Sequence, residues 1–398
     1  MAVVHPLERA WVSTGGTGAQ NYDEFADDRE ITAIVDLQPH SALGVEMPHR
    51  APASLGSTFT EALPAARARL QAAKDAGAYV PAASVVAPYR IADPATGHVS
   101  YGLFAMVDTD QISTSRDEPG LVIRNEDVFA AKVRERVQLV EATGHLLSPV
   151  LLLQTEGAAT LHAELEAACV GDPVVTDRDG AGREHAVWTV GGERARRLCD
   201  LAGAGGLVVA DGNHRSLAAQ TAGLSRFLAV VTTPGSVDLL PYHRLLSQWP
   251  GHLPALPAAL SGAGAEVTAV DGAPRTPDTP GTVHVYTQRR TYAVRLPVPA
   301  AATGVQRLDH SLVEDVLVRG ILGWDPGDER VRYIGGDYPD AWLQDRVDTG
   351  EAAAALLLAP VRVDDFVRVN LDREKMPRKS TWFVPKARAG LVLAELGG

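Results

Sequence analysis

Short, wholly apolar runs set the terms on which this chain can fold. LLSPVLLL at 146–153, LVVA at 207–210 and FLAVVT at 227–232 have strand length and no polar alternation, so each reads as a buried strand. Helical patterns lie between and around them. At 57–76, Leu63, Arg67 and Leu70 recur at helix spacing and Gly77 stands where a C-cap would. At 126–142, Val133, Val137 and Val140 sit among charged residues. Further helices are expected at 158–169, 193–203, 310–322, 339–347 and from 363 onward. Segments 83–91 and 99–107 flank the turn ADPATGH and predict a hairpin, as do the residues around Arg289-Arg290. Helices and strands thus alternate throughout, and the expected class is mixed α/β, with a larger mixed sheet in two lobes.

The 398 residues are enough for two such lobes. A stretch rich in Pro, Gly and Ala at 250–282 marks a subdomain edge. The expected division is a main α/β domain at 1–250, a small β-hairpin subdomain at 251–305 and a C-terminal α/β segment at 306–398. Residues 1–60 have no clear periodicity.

Charge narrows the function. With 49 acidic against 37 basic residues the net charge is −12, the wrong sign for a nucleic-acid partner. The two cysteines, Cys169 and Cys199, lie in Ala/Leu-rich contexts without a C-x-x-C, so they read as buried apolar residues in a reducing compartment. The N-terminus shows no signal-peptide pattern, and the longest apolar stretch, 352–361, is about half a membrane span. A cytoplasmic protein with no membrane partner is expected.

Four stretches carry polar chemistry. In VVADGNHRSLAAQ (208–220) an apolar strand ends at Asp211-Gly212, and Asn213, His214 and Arg215 open a helical pattern. A helix N-terminus offers unpaired N–H groups and a partial positive charge to an anion. Gly212 would admit close backbone approach, Arg215 can grip phosphate, His214 can donate, and Asp211 could hold magnesium or take a proton. The same residues read equally as a turn with Asn213 as its cap. LPYHR places His243 beside Arg244 after the next strand, as a further grip or a plain surface loop. The tail from Lys375 to Lys386 gathers four cations, Lys379 and Lys386 among them, in an acidic chain, an anion site or a surface basic patch. Arg124-Asn125-Glu126-Asp127 precedes a helix carrying Lys132, Arg134 and Arg136, where acids ordinarily serve as caps.

In this order the stretches resemble a bacterial family known only as domain of unknown function 1015. Its elements are His-Glu, a Ser-Pro strand, Ala-Asp-Gly-His-His-Arg, Leu-Pro-x-His-Arg and Met-Pro-x-Lys-Ser-Thr-x-Phe-x-Pro-Lys. Here they read Asn125-Glu126, LLSPVLLL, VADGNHR (209–215), LPYHRLL (240–246) and MPRKSTWFVPK (376–386). The corner is also similar to that of free serine kinases with a ParB/sulfiredoxin-like phosphate-binding core. The resemblance implies a kinase moving phosphate from ATP, ADP or pyrophosphate, with Mg2+, to the hydroxyl of a free amino acid, foremost L-serine. It implies Glu126, Asp211 and His214 as catalytic groups and Asp211 as metal ligand. Gly212, Asn213, His214, Arg215, His243, Arg244, Lys379, Ser380 and Lys386 would bind the donor, the tail completing the site, and a homodimer stays open. Asn213 and Asn125 stand where the pattern has histidine, and asparagine carries no proton at neutral pH. The alternative is a non-catalytic regulatory protein that binds a nucleotide or phosphometabolite.

Overall fold

A computed structural model of the chain describes residues 3–25, 27–113, 120–126 and 128–397. The chain forms two compact units, Met1–Asp238 with Pro385–Gly398, and Leu239–Val384. The class is mixed α/β, with helices and strands interleaved in both.

In the first unit, the described residues contribute fourteen strands to one mixed sheet. Its central path runs Leu207–Asp211, Val150–Gln154, Arg226–Thr232, Val99–Asp108, Tyr79–Ala92, Leu7–Ser13 and Val392–Glu395. The three apolar runs lie side by side. Leu207–Asp211 is antiparallel to Val150–Gln154, which is parallel to Arg226–Thr232. Leu152, Leu153, Val208, Val209 and Val231 are fully buried, as continuous apolar strands require. The expected hairpin forms, Ala92 facing Val99 across a turn in which Asp93 accepts the Ala95 N–H at 2.9 Å. Residues 1–60 supply a central strand: Leu7–Ser13 pairs with Tyr79–Ala92 on one side and the C-terminal strand Val392–Glu395 on the other.

Helix starts differ from the expected ones. The first expected helix begins at Leu63 rather than 57, with Pro64 in its first turn, where a missing N–H costs nothing. The next spans Ala130–Thr143 rather than 126–142 and ends on Gly144 at φ 67°. Its delayed start has a tertiary cause, the contacts of Asn125 and Phe129 with Asn213 and His214. Asp127 lies outside the described residues.

The second unit is a six-stranded antiparallel sheet in the order Glu266–Val270, Arg290–Arg295, Val283–Thr287, Ala354–Leu357, Tyr242–Leu246, Val331–Gly335. Gln288 and Arg289, both at positive φ, make the two-residue turn that matches strand twist. The break falls after Asp238 rather than at 250. Segment 251–305 does not separate from 306–384, because its strands share a sheet with 331–335 and 354–357. Residues 385–398 return to the first unit through their strand pairing with Leu7–Ser13.

Candidate active site

The strand Leu207–Asp211 shifts register between Val209 and Asp211, a bulge at Ala210, and Asp211 pairs with Leu151 at the strand's end. Gly212 follows at φ 96°, and the helix Asn213–Thr221 starts at once. A Cβ at Gly212 would lie 3.0 Å from Arg215 Nε, so the position needs glycine for its backbone and for its space. Arg215 is fixed on three sides: it donates to the Asp211 carboxylate, to the Pro149 carbonyl, and to Asn21 Oδ1 at 3.2 Å. Asn21 Nδ2 in turn donates to Asp211 Oδ2 at 3.3 Å. Lys386 Nζ lies 3.6 Å from Asp211 Oδ1 and 3.5 Å from Glu24 Oε1. Burial works against the Arg215 charge, but Asp211, then Asp23, outweigh it and hold the guanidinium's pKa above its usual value. The corner is thus a helix N-terminus backed by two cations whose positions are set by Asp211, Asn21 and Glu24.

The segment leading into the helix Ala130–Thr143 packs on this corner. Asn213 Nδ2 donates to Asn125 Oδ1 at 2.6 Å, so the two positions that depart from the family's histidines touch each other. The Phe129 N–H donates to His214 Nε2 at 3.1 Å, which places the proton of a neutral His214 ring on Nδ1. The rings of Phe129 and His214 stack with centroids 6.1 Å apart. This docking engages Asn125 and Phe129, both outside the helix, which starts at Ala130. Glu126, half-buried, lies within the docked stretch.

His243, Arg244, Lys379 and Ser380 belong to the second unit. His243 Nδ1 accepts the Leu358 N–H at 3.2 Å, and burial pulls its pKa down to about 4. Arg244, 1% exposed, donates to the carbonyls of Lys379 at 2.9 Å, Tyr242 at 3.1 Å and Arg378 at 3.3 Å, with Tyr333 under its plane at 4.2 Å. It thereby holds a turn in which Lys379 has φ 50°. Ser380 is fully buried. The first unit therefore gathers Glu126, Asp211, Gly212, Asn213, His214, Arg215 and Lys386, and the second the other four.

Sequence reasoning missed Asn21, Glu24 and Glu46. They come from the segment without periodicity, and only the fold brings them to the corner. For magnesium, the donor set does not fit as it stands: both Asp211 oxygens already face cations. Among the described residues no three His, Cys, Asp or Glu side chains are grouped to hold a metal.

A family model described as protein of unknown function (DUF1015) matches residues 17–311. The chain belongs to this family. No curated protein matches it. Among solved structures, the DUF1015 chain is similar to a free serine kinase in complex with AMP, at 11% identity and a TM-score of 0.39, over 71% of this chain and 87% of that one. It is also similar to a C-terminally truncated SbnI from Staphylococcus aureus, at 12% identity and 0.40, over 72% and 87%. A conserved hypothetical protein from Pyrococcus furiosus gives 12% and 0.40 over 72% and 95%.

Proposed function

We propose that this DUF1015 protein is a small-molecule phosphotransferase that moves a phosphoryl group from a nucleotide or pyrophosphate to the hydroxyl of a free amino acid, L-serine first. The observation that carries the reading is the corner: a glycine turn into a nine-residue helix, with Arg215 buried against Asp211 and Lys386 beside them. Phosphoryl transfer asks mainly for positioned positive charge, and a pre-formed helix N-terminus with fixed cations supplies it without reorganisation. The donor's phosphates would rest on the first turn, 212–215. The acceptor oxygen attacks phosphorus, its proton passes to the Glu126 carboxylate, and the bond to the leaving phosphate breaks with both electrons staying on that phosphate.

The test is to incubate the purified protein with L-serine and ATP, ADP or pyrophosphate and read the products by mass spectrometry. Phosphoserine with one donor is expected, and Glu126→Gln should lower its rate by roughly 100-fold or more. No phosphoserine with any donor sinks the substrate assignment, and an unchanged rate in Glu126→Gln sinks the base.

One observation favours a second reading. Asn125 and Asn213, locked to each other, can neither accept nor deliver a proton. A regulatory protein that binds a phosphometabolite without turnover would show calorimetric binding of AMP or pyrophosphate and no product.

A further inference from the structure

Behind the corner, in the same unit, a cavity of about 40 Å³ has polar walls at Glu46, Arg136, Ser148 and Arg215 and apolar ones at Leu139 and Phe227. One water molecule needs roughly 10–15 Å³ on this scale, so the space suits a compact molecule and not a nucleotide. Two of its charges are oddly placed. Arg136 is 4% exposed, with Tyr22 over its guanidinium at 4.0 Å and Phe59 at 5.0 Å. Its Nη2 donates to the Glu46 carbonyl at 3.1 Å, while Nε and Nη1 have no hydrogen-bond partner among the described residues. Glu46 is 3% exposed; Ser148 donates to its Oε1, and Oε2 has no such partner.

A buried arginine and a buried glutamate would ordinarily close on each other, because each carries a desolvation cost that the other offsets. Here both line one cavity, yet no ion pair forms between them. Burial pushes the Glu46 carboxyl up, and the nearby charges of Arg136 and then Arg215 oppose this without overcoming it. Two buried, opposite and separated charges match a ligand that carries both signs a few bonds apart.

We propose that this cavity is the binding site of a free α-amino acid, its carboxylate on Arg136 and its ammonium on Glu46 Oε2. The aromatic rings fix the plane of the Arg136 guanidinium, so the carboxylate meets a donor group already oriented. The cavity's small size selects a short side chain. Arg215 lines the cavity and also holds Asp211 at the corner, so one residue joins the two places. The assignment of this amino acid as phosphate acceptor rests on the phosphotransferase reading; its binding does not.

Calorimetry on the full chain tests it, with L-serine, L-homoserine, L-threonine, L-alanine, ethanolamine, which lacks the carboxylate, and 3-hydroxypropionate, which lacks the ammonium. Expected are binding of at least one of the four amino acids and affinity for each single-charge analogue lower by roughly tenfold or more. Glu46→Gln should weaken the amino acid by a similar factor and leave 3-hydroxypropionate unchanged. Arg136→Gln should weaken the amino acid and leave ethanolamine unchanged. If Arg136→Gln does not fold by circular dichroism, Glu46→Gln alone decides. No binding by any of the four, or binding indifferent to Glu46→Gln, overturns the proposal and leaves the cavity to water. AMP and pyrophosphate titrations run alongside separate the two readings. Phosphate ligands bound without amino acid sinks the cavity alone, and amino acid bound without phosphate ligands sinks the corner alone.

Discussion

At the scale of single residues, the pair Asn125–Asn213 is the sharpest feature. Both are buried, at 1% and 4% exposure, and they share a hydrogen bond of 2.6 Å. A buried amide that loses its partner bears its full desolvation cost, about 1–3 kcal/mol. Asn125→Ala and Asn213→Ala should therefore each destabilise the protein by about that much. The double variant should cost less than the sum by about 1 kcal/mol, as for residues in contact. Urea unfolding of the four proteins measures the coupling, and strictly additive losses would show that the contact contributes nothing. The motif match made both positions visible in the sequence as departures, but nothing in the sequence said that they meet, since 88 residues separate them.

At the scale of elements, the strand-to-helix corner depends on Gly212. Its φ of 96° is costly for any L side chain, and its missing Cβ leaves room for Arg215. Gly212→Ala should lower stability by roughly 1–3 kcal/mol and push Arg215 off Asp211. On the proposed reading, affinity for AMP or pyrophosphate should then fall by roughly tenfold or more, because a phosphate held by Arg215 would lose a charge-assisted bond. Equal affinity in the variant, measured by calorimetry, would place the phosphate elsewhere. The corner was legible because an apolar run, Asp-Gly and a helical pattern are local signals. The start of the helix Ala130–Thr143 was not, because the bond from Phe129 N–H to the His214 ring, 85 residues away, overrides local propensity.

At the scale of the whole molecule, burial of histidine in the second unit ties stability to pH. His243 is held at about 4 by burial, helped by Arg244 and opposed by Asp340, and His310 lies well below the usual value for the same leading reason. In the unfolded chain an imidazole protonates near 6.5. The unfolded state therefore takes up the proton first as pH falls. The stabilisation is complete above about 6.5 and drains away between there and about 4, roughly 3 kcal/mol for His243 alone. Glu314 and Asp309, pushed up by burial, act in the opposite sense. Comparing the native chain with His243→Gln cancels them. Melting temperatures from pH 7.5 to 4.5 should fall less steeply in the variant, and identical slopes would remove His243 as the cause.

The sequence alone determined the mixed α/β class, the buried strands, the hairpins, the acidic balance and the glycine corner, because each depends on neighbours within a turn or a strand. The tertiary structure decided where one unit ends and the other begins, since strand pairing joins Leu7–Ser13 to Val392–Glu395 across nearly the whole chain. It also decided what stands beside Arg215. Asn21 and Glu24 lie in a segment without periodicity, and Lys386 was visible only through the tail motif. Long-range packing places these side chains, because a buried charge needs its partners in space and not in sequence.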